Sequence, residues 1–350
     1  MSFLVSLYRK FRSWHFVTGL EKKHRKILGS RSKNYVLTKE QEAQIRAFYG
    51  PYAKVDMTAH NFYTEKTGQF HVNYMPDDLH YSRIDSFLND WWECRYMDNK
   101  CFYRQFFQGI RHPEAVASRI GDLWYDAAGN LIRSDALEAL LAREPEIVAK
   151  MARDSGGGSG VYFLPGKDFS TIAHKFTDDI VIQRPLQQHP GLASINPSSV
   201  NTIRILSLLS EEGVKIYSAI LRIGRNGSRV DNASSGGITC GITEDGKLKQ
   251  VAYTAAGERF AQHPDSGLAF EGIPIPGFDL CVAAVPKLHV QIPRFHLVSW
   301  DFAIDTDGQP VLVEANLHYG QLDFHQLNNG PLFGDDTEKV LKMVLIDRKK

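Results

Sequence analysis

The chain has 350 residues, enough for two or three compact units with cores of their own. Hydrophobic residues make up 43% and charged residues 23%, a composition that excludes a disordered or fibrous protein. No run approaches the roughly 18 apolar residues that cross a bilayer, and no secretory signal is recognisable. Four cysteines form no CxxC pair. We therefore expect a cytoplasmic protein with free thiols.

The first 33 residues are strongly basic. They hold nine lysines and arginines against one acid, Glu21, and so carry +8, which leaves −7 for the rest of a chain of net charge +1. Leu4, Leu7 and Phe11 recur among these cations at helical spacing, which predicts an amphipathic helix. Such a helix either packs on its own domain with a solvated basic face or makes a peripheral contact with the inner face of an anionic membrane. No nucleic-acid-binding motif accompanies the charge, so we expect no nucleic-acid partner.

The first half of the chain is predicted to be mainly helical, with one hairpin. Ser134 precedes a periodic apolar run and is predicted to cap the last of these helices. Glycine and asparagine between two short apolar runs predict the hairpin turn. The predicted elements are helices near Thr38–Tyr49, Ser82–Trp92, Asn99–Phe107 and Ala136–Arg143, and hairpin strands at Leu123–Asp126 and Leu131–Ile132.

Strands outnumber helices in the second half. The predicted strands are Ile147–Lys150, Val161–Leu164, Ile180–Gln183, Thr202–Leu209, Val214–Ile223, Phe295–Ile304 and Pro310–Ala315, with a helix at Asp279–His289. Most neighbours are joined by short polar turns such as Glu211-Glu212-Gly213. Short turns join antiparallel strands, whereas parallel strands need long crossovers. The pattern therefore predicts an α+β fold with antiparallel sheets rather than a doubly wound parallel sheet.

Two acidic residues lie in the last pair of strands. A tight turn between these strands would bring Asp301 and Glu314 to neighbouring positions on one sheet face, with Asn316 two residues further on. Both acids have apolar neighbours, and a buried carboxylate is costly unless a cation compensates it. Two carboxylates and an amide suit Mg²⁺, whose remaining ligands are often phosphate oxygens. A solvated hairpin without metal is the alternative.

A lysine precedes a glycine-rich segment. Lys150 ends a predicted strand, and Gly156-Gly157-Gly158-Ser159-Gly160 follows before the next strand. Glycines allow backbone N–H groups to approach phosphate oxygens, and a lysine adds a positive charge. The segment is neither a Walker A loop nor a dinucleotide-binding fingerprint. A flexible linker is the alternative reading of the glycines.

Arginines occur within apolar strands. Arg204 follows Asn201 and lies among core-like residues, and Arg222 lies in the next strand. An arginine in such surroundings needs an anionic partner, which is either an internal acid or the carboxylate or phosphate of a ligand. The turn from Asp231 to Gly237 follows the second of these strands. These residues are candidates for binding an anion.

Taken in order, these motifs resemble the ATP-grasp superfamily. A lysine with a glycine-rich segment, then N-x-x-R, N-x-x-x-G-G and W-D…E-x-N are closest to the sugar-transfer-associated branch, with some RimK-type features. The resemblance covers about residues 95–345. It implies two α+β subdomains that grip ATP between antiparallel sheets, a central lid near residues 140–185 and a C-terminal subdomain near 186–345. Residues 1–94 would form a separate N-terminal region.

The resemblance also implies roles for individual residues. In the superfamily's D-Ala-D-Ala ligase branch an arginine stands two residues before the metal aspartate, and here that position is Ser299, so Arg204 or Arg222 would stabilise the acyl intermediate. The implied sets are Lys100, Lys150, Gly156, Gly157, Gly158, Ser159, Gly160 and Gln183 for ATP; Asp301, Glu314 and Asn316 for two Mg²⁺ ions; Arg204, Arg222 and Asn232 for catalysis; and Tyr319, Gln321 and His325 for the acceptor substrate.

The resemblance implies an ATP-dependent carboxylate–amine ligase that forms an acyl phosphate. Its substrates would be an amine or amino acid and a sugar acid, in polysaccharide or capsule biosynthesis. Two alternatives stay open: an ATP-dependent phosphotransferase acting on a glycan or lipid-linked intermediate, and a non-catalytic nucleotide-binding partner of a glycosyltransferase.

Overall fold

A computed structural model of the chain describes residues 18–153, 160–231 and 236–347. The chain divides into two compact units. The first, here called the helical unit, comprises the described residues up to Asp90, the segment Tyr253–Arg259 and the chain from His318 onward. The second, the two-sheet unit, comprises Trp91–Ala252 and Phe260–Leu317. The predicted domain boundaries at residues 94, 140 and 185 stay a prediction.

Short helices build the helical unit. Thr38 caps α2 through a capping box, in which its side chain accepts from the backbone N–H of Gln41 and the Gln41 side chain accepts from the N–H of Thr38. The helix predicted here is thereby confirmed. The helices are α1 within residues 18–31, α2 (Lys39–Tyr49), α3 (Thr58–Thr67), α4 (Asp77–Leu79), a π-helical turn (His80–Ile84), α5 (Asp85–Leu88), α11 (Leu322–Asn329), α12 (Thr337–Lys342) and a final π-helical turn (Met343–Asp347).

The single helix predicted over Ser82–Trp92 is wrong. Helix α5 ends where Asn89 adopts an extended backbone conformation, and a new helix, α6 (Trp91–Met97), begins beyond it. The apolar spacing continues across the break, which explains why periodicity alone joined the two helices.

The two-sheet unit contains a six-stranded sheet with the order β3-β2-β1-β6-β4-β5. All its pairs are antiparallel. Its strands are β1 (Ala115–Ile120), β2 (Leu123–Asp126), β3 (Leu131–Ile132), β4 (Ile147–Met151), β5 (Val161–Leu164) and β6 (Ile180–Gln183). A short helix, α7 (Tyr103–Phe106), precedes the sheet.

Helix α8 (Ser134–Leu141) packs on this sheet and contributes Leu137 and Leu141 to its core. It begins two residues earlier than predicted, and Arg133 is its N-cap residue without a side-chain hydrogen bond. The predicted capping role of Ser134 is therefore wrong, because Ser134 already lies inside the helix.

A seven-stranded sheet with the order β11-β10-β9-β8-β7-β12-β13 forms the rest of this unit. Helix α10 (Phe278–His289) packs on it, and Trp300, which is fully buried, donates from Nε1 to the Ser207 hydroxyl at 2.8 Å. The strands are β7 (Thr202–Ser210), β8 (Gly213–Ile223), β9 (Ile238–Ile242), β10 (Leu248–Tyr253), β11 (Arg259–Phe260), β12 (Leu297–Ile304) and β13 (Pro310–Asn316); a short helix, α9 (Pro190–Ala193), precedes them.

The α+β fold with antiparallel sheets is thereby confirmed. The pairs β7–β8, β8–β9, β7–β12 and β12–β13 are all antiparallel. Across residues 18–153, 160–231 and 236–347, no helix is long and apolar enough to cross a membrane.

Candidate active site

Three neighbouring strands of the seven-stranded sheet bring the predicted metal ligands together. Strand β12 pairs with β13 on one side and β7 on the other, and the register sets Asp301 opposite both Glu314 and Arg204. Directly paired residues of antiparallel strands point to the same face of the sheet. Asn316 pairs with Ser299, two residues away along each strand, and so shares that face. The sheet places these residues as the hairpin predicts, and their role as metal ligands stays a prediction.

The Asp301 carboxylate is buried between two arginines. Arg204 donates from Nε to Oδ1 at 2.7 Å and from Nη2 to Oδ2 at 2.6 Å, and Arg222 donates from Nη1 to Oδ2 at 2.8 Å. Burial favours the neutral acid, but the two arginines outweigh it and hold the pKa of Asp301 below its ordinary value. The sequence predicts that Arg204 has either an internal acid or an anionic ligand as its partner. The structure shows an internal acid, Asp301.

Two lysines lie close to Glu314. The Nζ atom of Lys100 is 2.7 Å from Oε1 of Glu314. The backbone N–H of Lys100 donates to the carbonyl of Ala152 at 3.0 Å, which ties this lysine to the end of β4, where Lys150 lies. Burial, and then the like charge of Lys100, lower the pKa of Lys150 to about 8. Lysines buried this close together favour an anionic ligand.

A cavity of about 590 Å³ lies next to these lysines. Val181 and Gln183 of β6 line one wall, and Leu312 and Val313 of β13 line another. The register of β12 and β13 shifts by one residue here, and Val313 is the extra residue of the bulge. The volume falls in the range of roughly 300–1,000 Å³ typical of small-molecule sites. The cavity therefore places Gln183, one of the residues that the resemblance assigns to ATP, together with Lys100 and Lys150.

Most of the glycine-rich segment lies outside the described residues. The same holds for Asn232, so the structure says nothing of these candidates: Gly156, Gly157, Gly158, Ser159 and Asn232. Gly160 is described and has a positive φ of 77°, which favours glycine. It directly precedes β5, whose Val161 pairs with Lys150 of β4. The segment thus connects two paired strands, as the sequence predicts.

The three predicted acceptor residues belong to the helical unit. Tyr319 and Gln321 both have a left-handed backbone, with φ of 53° and 61°. The Asp85 carboxylate accepts from the backbone N–H of Tyr319 at 3.2 Å and lies 3.1 Å from Nδ1 of His318. His325 is buried in α11. The role of these residues in acceptor binding stays a prediction.

Two polar residues beside the arginines, Asp231 and Thr202, had no individual role in the sequence-based set, although Asp231 begins the turn considered there for anion binding. Asp231 lies 3.5 Å from Nη2 of Arg222, and the Thr202 hydroxyl donates to the Asp231 carboxylate. Burial raises the pKa of Asp231. Thr202 pairs directly with Arg222 across β7 and β8, so a correct register would have identified it. Asp231 lies in the turn after β8, and no sequence pattern indicates its contact with Arg222.

The donor set fits a hard divalent cation that is bound together with phosphate. Within the described part of the chain, no three His, Cys, Asp or Glu side chains are grouped to hold a metal ion by themselves. Asp301 and Glu314 supply two carboxylates. Asn316 donates through Nδ2 to the Ser299 carbonyl at 3.1 Å and to Asp301 at 3.3 Å, so its Oδ1 is the atom it can offer to a cation. One or two carboxylates completed by phosphate oxygens are typical of Mg²⁺.

Comparisons with known proteins find matches among solved structures. No curated protein matches the chain. D-alanyl-alanine synthetase A from Vibrio cholerae O1 biovar eltor matches with a TM-score of 0.42 and 12% identity, over 71% of this chain and 65% of that one. The ATP-grasp ligase PsnB in complex with a minimal precursor matches with a TM-score of 0.42 and 13% identity, over 73% and 64%. The chain thus spans less than two thirds of the length of either protein.

A comparison with models of protein families identifies the family of the chain. The model of the sugar-transfer-associated ATP-grasp family matches residues 82–342, which is more than half of the chain. The matched range contains Lys100, Lys150, Arg204, Asp301 and Glu314. The chain therefore belongs to the sugar-transfer-associated ATP-grasp family, as the order of its motifs predicted.

Proposed function

We propose that the chain is a magnesium-dependent ATP-grasp ligase that joins a carboxylate to an amine through an acyl phosphate. A cavity lined by two buried lysines carries the proposal. Lys100 and Lys150 line it, and Lys100 contacts Glu314, next to a buried cluster in which Arg204 and Arg222 contact Asp301. Burying positive charge in this way costs free energy, as the lowered pKa of Lys150 indicates, and an anion in the cavity would offset that cost. The polyphosphate of ATP supplies that anion.

Each group has a task in this proposal. Lys100 and Lys150 orient the phosphates, and Gln183 at the cavity wall contacts the adenine. Asp301, Glu314 and Asn316 would hold Mg²⁺. The bound ion would act as a Lewis acid that offsets the negative charge of the phosphates. Positioning and charge compensation are the main requirements of phosphoryl transfer, and this set of side chains is suited to both.

The reaction has two steps. A carboxylate oxygen of the first substrate attacks the γ-phosphorus of ATP, the bond to the bridging β–γ oxygen breaks, and ADP leaves. The amine nitrogen then attacks the acyl carbon and loses a proton, and phosphate leaves as the amide bond forms. Charge builds on the acyl oxygen in this second step. Arg204 or Arg222 is proposed to balance it, since Ser299 carries no charge.

We further propose that the carboxylate belongs to a sugar acid. The description of the family, which associates it with sugar transfer, supports this choice. Tyr319, Gln321 and His325 are proposed to contact that substrate. The amine would come from an amino acid or a simple amine.

A matrix of sugar acids and amines in Mg-ATP tests the proposal. ADP should be released in quantity only when a carboxylate and an amine are present together, because both steps must complete. Glu314→Gln should lower the rate of ADP release at least 100-fold, since it removes a carboxylate from the metal set and the charged partner of Lys100. Glu271→Gln, a change at an exposed glutamate, is the matched control and should keep the wild-type rate.

Other outcomes separate the alternatives. Phosphate that stays on the acceptor, with no amide formed, would establish a phosphotransferase. Full biological activity of Glu314→Gln in cells would establish a non-catalytic role. The absence of any ADP or ATP binding by the wild-type protein would overturn the proposal as a whole.

A further inference from the structure

The Asp301 carboxylate is saturated with hydrogen bonds at one of its two oxygens. Its Oδ2 accepts from Nη2 of Arg204 at 2.6 Å, from Nη1 of Arg222 at 2.8 Å and from Nδ2 of Asn316 at 3.3 Å. A carboxylate oxygen has two lone pairs, so three donors already exceed its capacity for short contacts. One departure still leaves two donors on Oδ2, so the effect of a cation on Arg222 comes through charge: a cation held by Asp301 would lie close to the Arg222 guanidinium, and buried like charges repel each other.

The two arginines differ in how easily they can leave. Arg204 holds both carboxylate oxygens of Asp301 in a two-bond fork, a geometry that is strong and specific. Arg222 donates to this carboxylate from Nη1 at 2.8 Å. Its other terminal nitrogen, Nη2, lies 3.5 Å from Oδ1 of Asp231. Arg222 therefore has a second acid within a short side-chain movement.

Asp231 is held ready for that contact. The Thr202 hydroxyl donates to its Oδ2, which leaves Oδ1 facing Arg222. Thr202 is anchored in turn, because it pairs directly with Arg222 across β7 and β8. The Asp231 side chain is only 11% exposed, so water competes little for the contact. The acid thus occupies a fixed position beside an arginine that it does not yet bind closely.

We infer that Asp231 is a positioning residue that receives Arg222 when Asp301 takes a metal ion. In the metal-free arrangement Arg222 neutralises Asp301. In the loaded arrangement it neutralises Asp231, and the negative charge of Asp301 is left to compensate the cation. Arg222, Asp231 and Asp301 each have an opposite charge nearby in both arrangements, which avoids the large cost of leaving one of them uncompensated. The inference rests on the proposed function, because it presumes that Asp301 is a metal ligand.

Asp231→Asn tests the exchange, because the amide keeps the shape of the side chain and loses its charge. Calorimetry measures the affinity for ADP at a series of Mg²⁺ concentrations that starts from zero. The Mg²⁺ concentration that gives half of the increase in affinity should rise about tenfold in the variant. ADP binding in EDTA should change less than twofold, since Lys100 and Lys150 are untouched. A purely structural role of Asp231 would instead weaken ADP binding with and without Mg²⁺ alike.

Matched variants keep the test decisive. Asp245→Asn, at an exposed aspartate paired with Lys247, should reproduce the wild-type Mg²⁺ dependence. Thr202→Val removes the hydroxyl that orients Asp231 and should shift the Mg²⁺ dependence in the same direction by a smaller factor, which provides a second measurement if Asp231→Asn fails to fold. An unchanged Mg²⁺ dependence in folded Asp231→Asn would overturn the inference. Failure of the wild-type protein to bind ADP would overturn the proposed function instead.

Discussion

Lys150 is proposed to bind phosphate, and burying its positive charge for that purpose lowers the stability of the folded protein. The residue is 9% exposed, and burial together with the charge of Lys100 lowers its pKa from 10.5 to about 8. The folded state therefore holds the proton of Lys150 less tightly than the unfolded state does. Below about pH 8 both states are charged, so the cost of burying the charge is fully present. As the pH rises from 8 to 10.5 the folded state releases its proton first, and the cost disappears.

Lys150→Met should therefore stabilise the nucleotide-free protein. At pH 7 we expect a gain of up to about 3 kcal/mol in the free energy of unfolding, from roughly 1.4 kcal/mol per pKa unit. The gain should shrink toward zero as the pH approaches 10.5. Urea unfolding at pH 7 and pH 9.5 measures both values. The same variant should lose most of its affinity for ADP.

Lys339→Met, at an exposed lysine, is the control and should change stability by less than about 0.5 kcal/mol. A loss of stability in Lys150→Met at pH 7 would show that the ammonium is compensated in the fold and that the burial cost is small.

Single residues also show how far the sequence could predict the site. Arg204 was recognised as needing an anion, but its apolar neighbours cannot say which one. The anion is Asp301, which the pairing of β7 with β12 sets opposite Arg204. That pairing joins residues almost a hundred positions apart in the sequence, so no local pattern predicts it. Lys100 was identified only through resemblance, because its contact with Glu314 depends on how a turn before the first sheet meets the second sheet.

Strands were predicted well where their pattern was uniform. The run Ile180–Gln183 is a strand with the predicted bounds, and the hairpin of β12 and β13 follows from two apolar runs with a tight polar turn between them. Strands β9 and β10 were missed. Gly241 weakens the strand signal of the first, and Lys249 and Gln250 dilute the apolar pattern of the second. Their pairing partners in the sheet outweigh those weak local preferences.

The turn after β13 is an element under backbone strain. Tyr319 and Gln321 both occupy the left-handed region, which costs a residue other than glycine about 1 kcal/mol or more. Asp85 accepts from the N–H of Tyr319, and the Tyr81 hydroxyl accepts from the N–H of Leu322 at 2.9 Å. These two acceptors hold the turn at both ends.

Asp85→Ala should loosen this turn. We expect the amide of Tyr319 to exchange with solvent at least tenfold faster, and the free energy of unfolding to fall by about 1–2 kcal/mol, because an acceptor is lost in a largely buried place. Hydrogen exchange with mass spectrometry and urea unfolding measure the two effects. Asp335→Ala, at an exposed aspartate, should change neither. Unchanged exchange in Asp85→Ala would show that the turn is held by other contacts.

The charge of the whole molecule is divided between a basic N-terminal region and an acidic remainder. Residues 1–17 lie outside the described part of the chain, and residues 18–31 form α1. The cations of α1 are of two kinds. Arg25 and Arg31 form ion pairs with Asp78 and Asp323, so they take part in the packing of the helical unit. The remaining three are exposed lysines: Lys22, Lys23 and Lys26.

This division decides which variant can test the proposed membrane contact. Removal of residues 1–33 would take Arg25 from the buried Asp78 and damage the helical unit. Reversing only the exposed charges, in the triple variant Lys22→Glu, Lys23→Glu and Lys26→Glu, keeps those pairs. A basic residue near an anionic membrane surface contributes about 1 kcal/mol. The triple variant should therefore lower binding to vesicles of phosphatidylcholine and phosphatidylserine at least tenfold in a sedimentation assay.

A second triple variant, Lys215→Glu, Lys287→Glu and Lys339→Glu, changes the net charge by the same amount at exposed positions far along the chain. If location matters, this variant should bind the vesicles nearly as well as the wild type, because a charge more than one Debye length, about 8 Å, from the membrane is screened. An equal loss of vesicle binding in both variants would show that binding depends on the net charge of the protein and not on α1. Full binding by the first variant would show that α1 does not face the membrane.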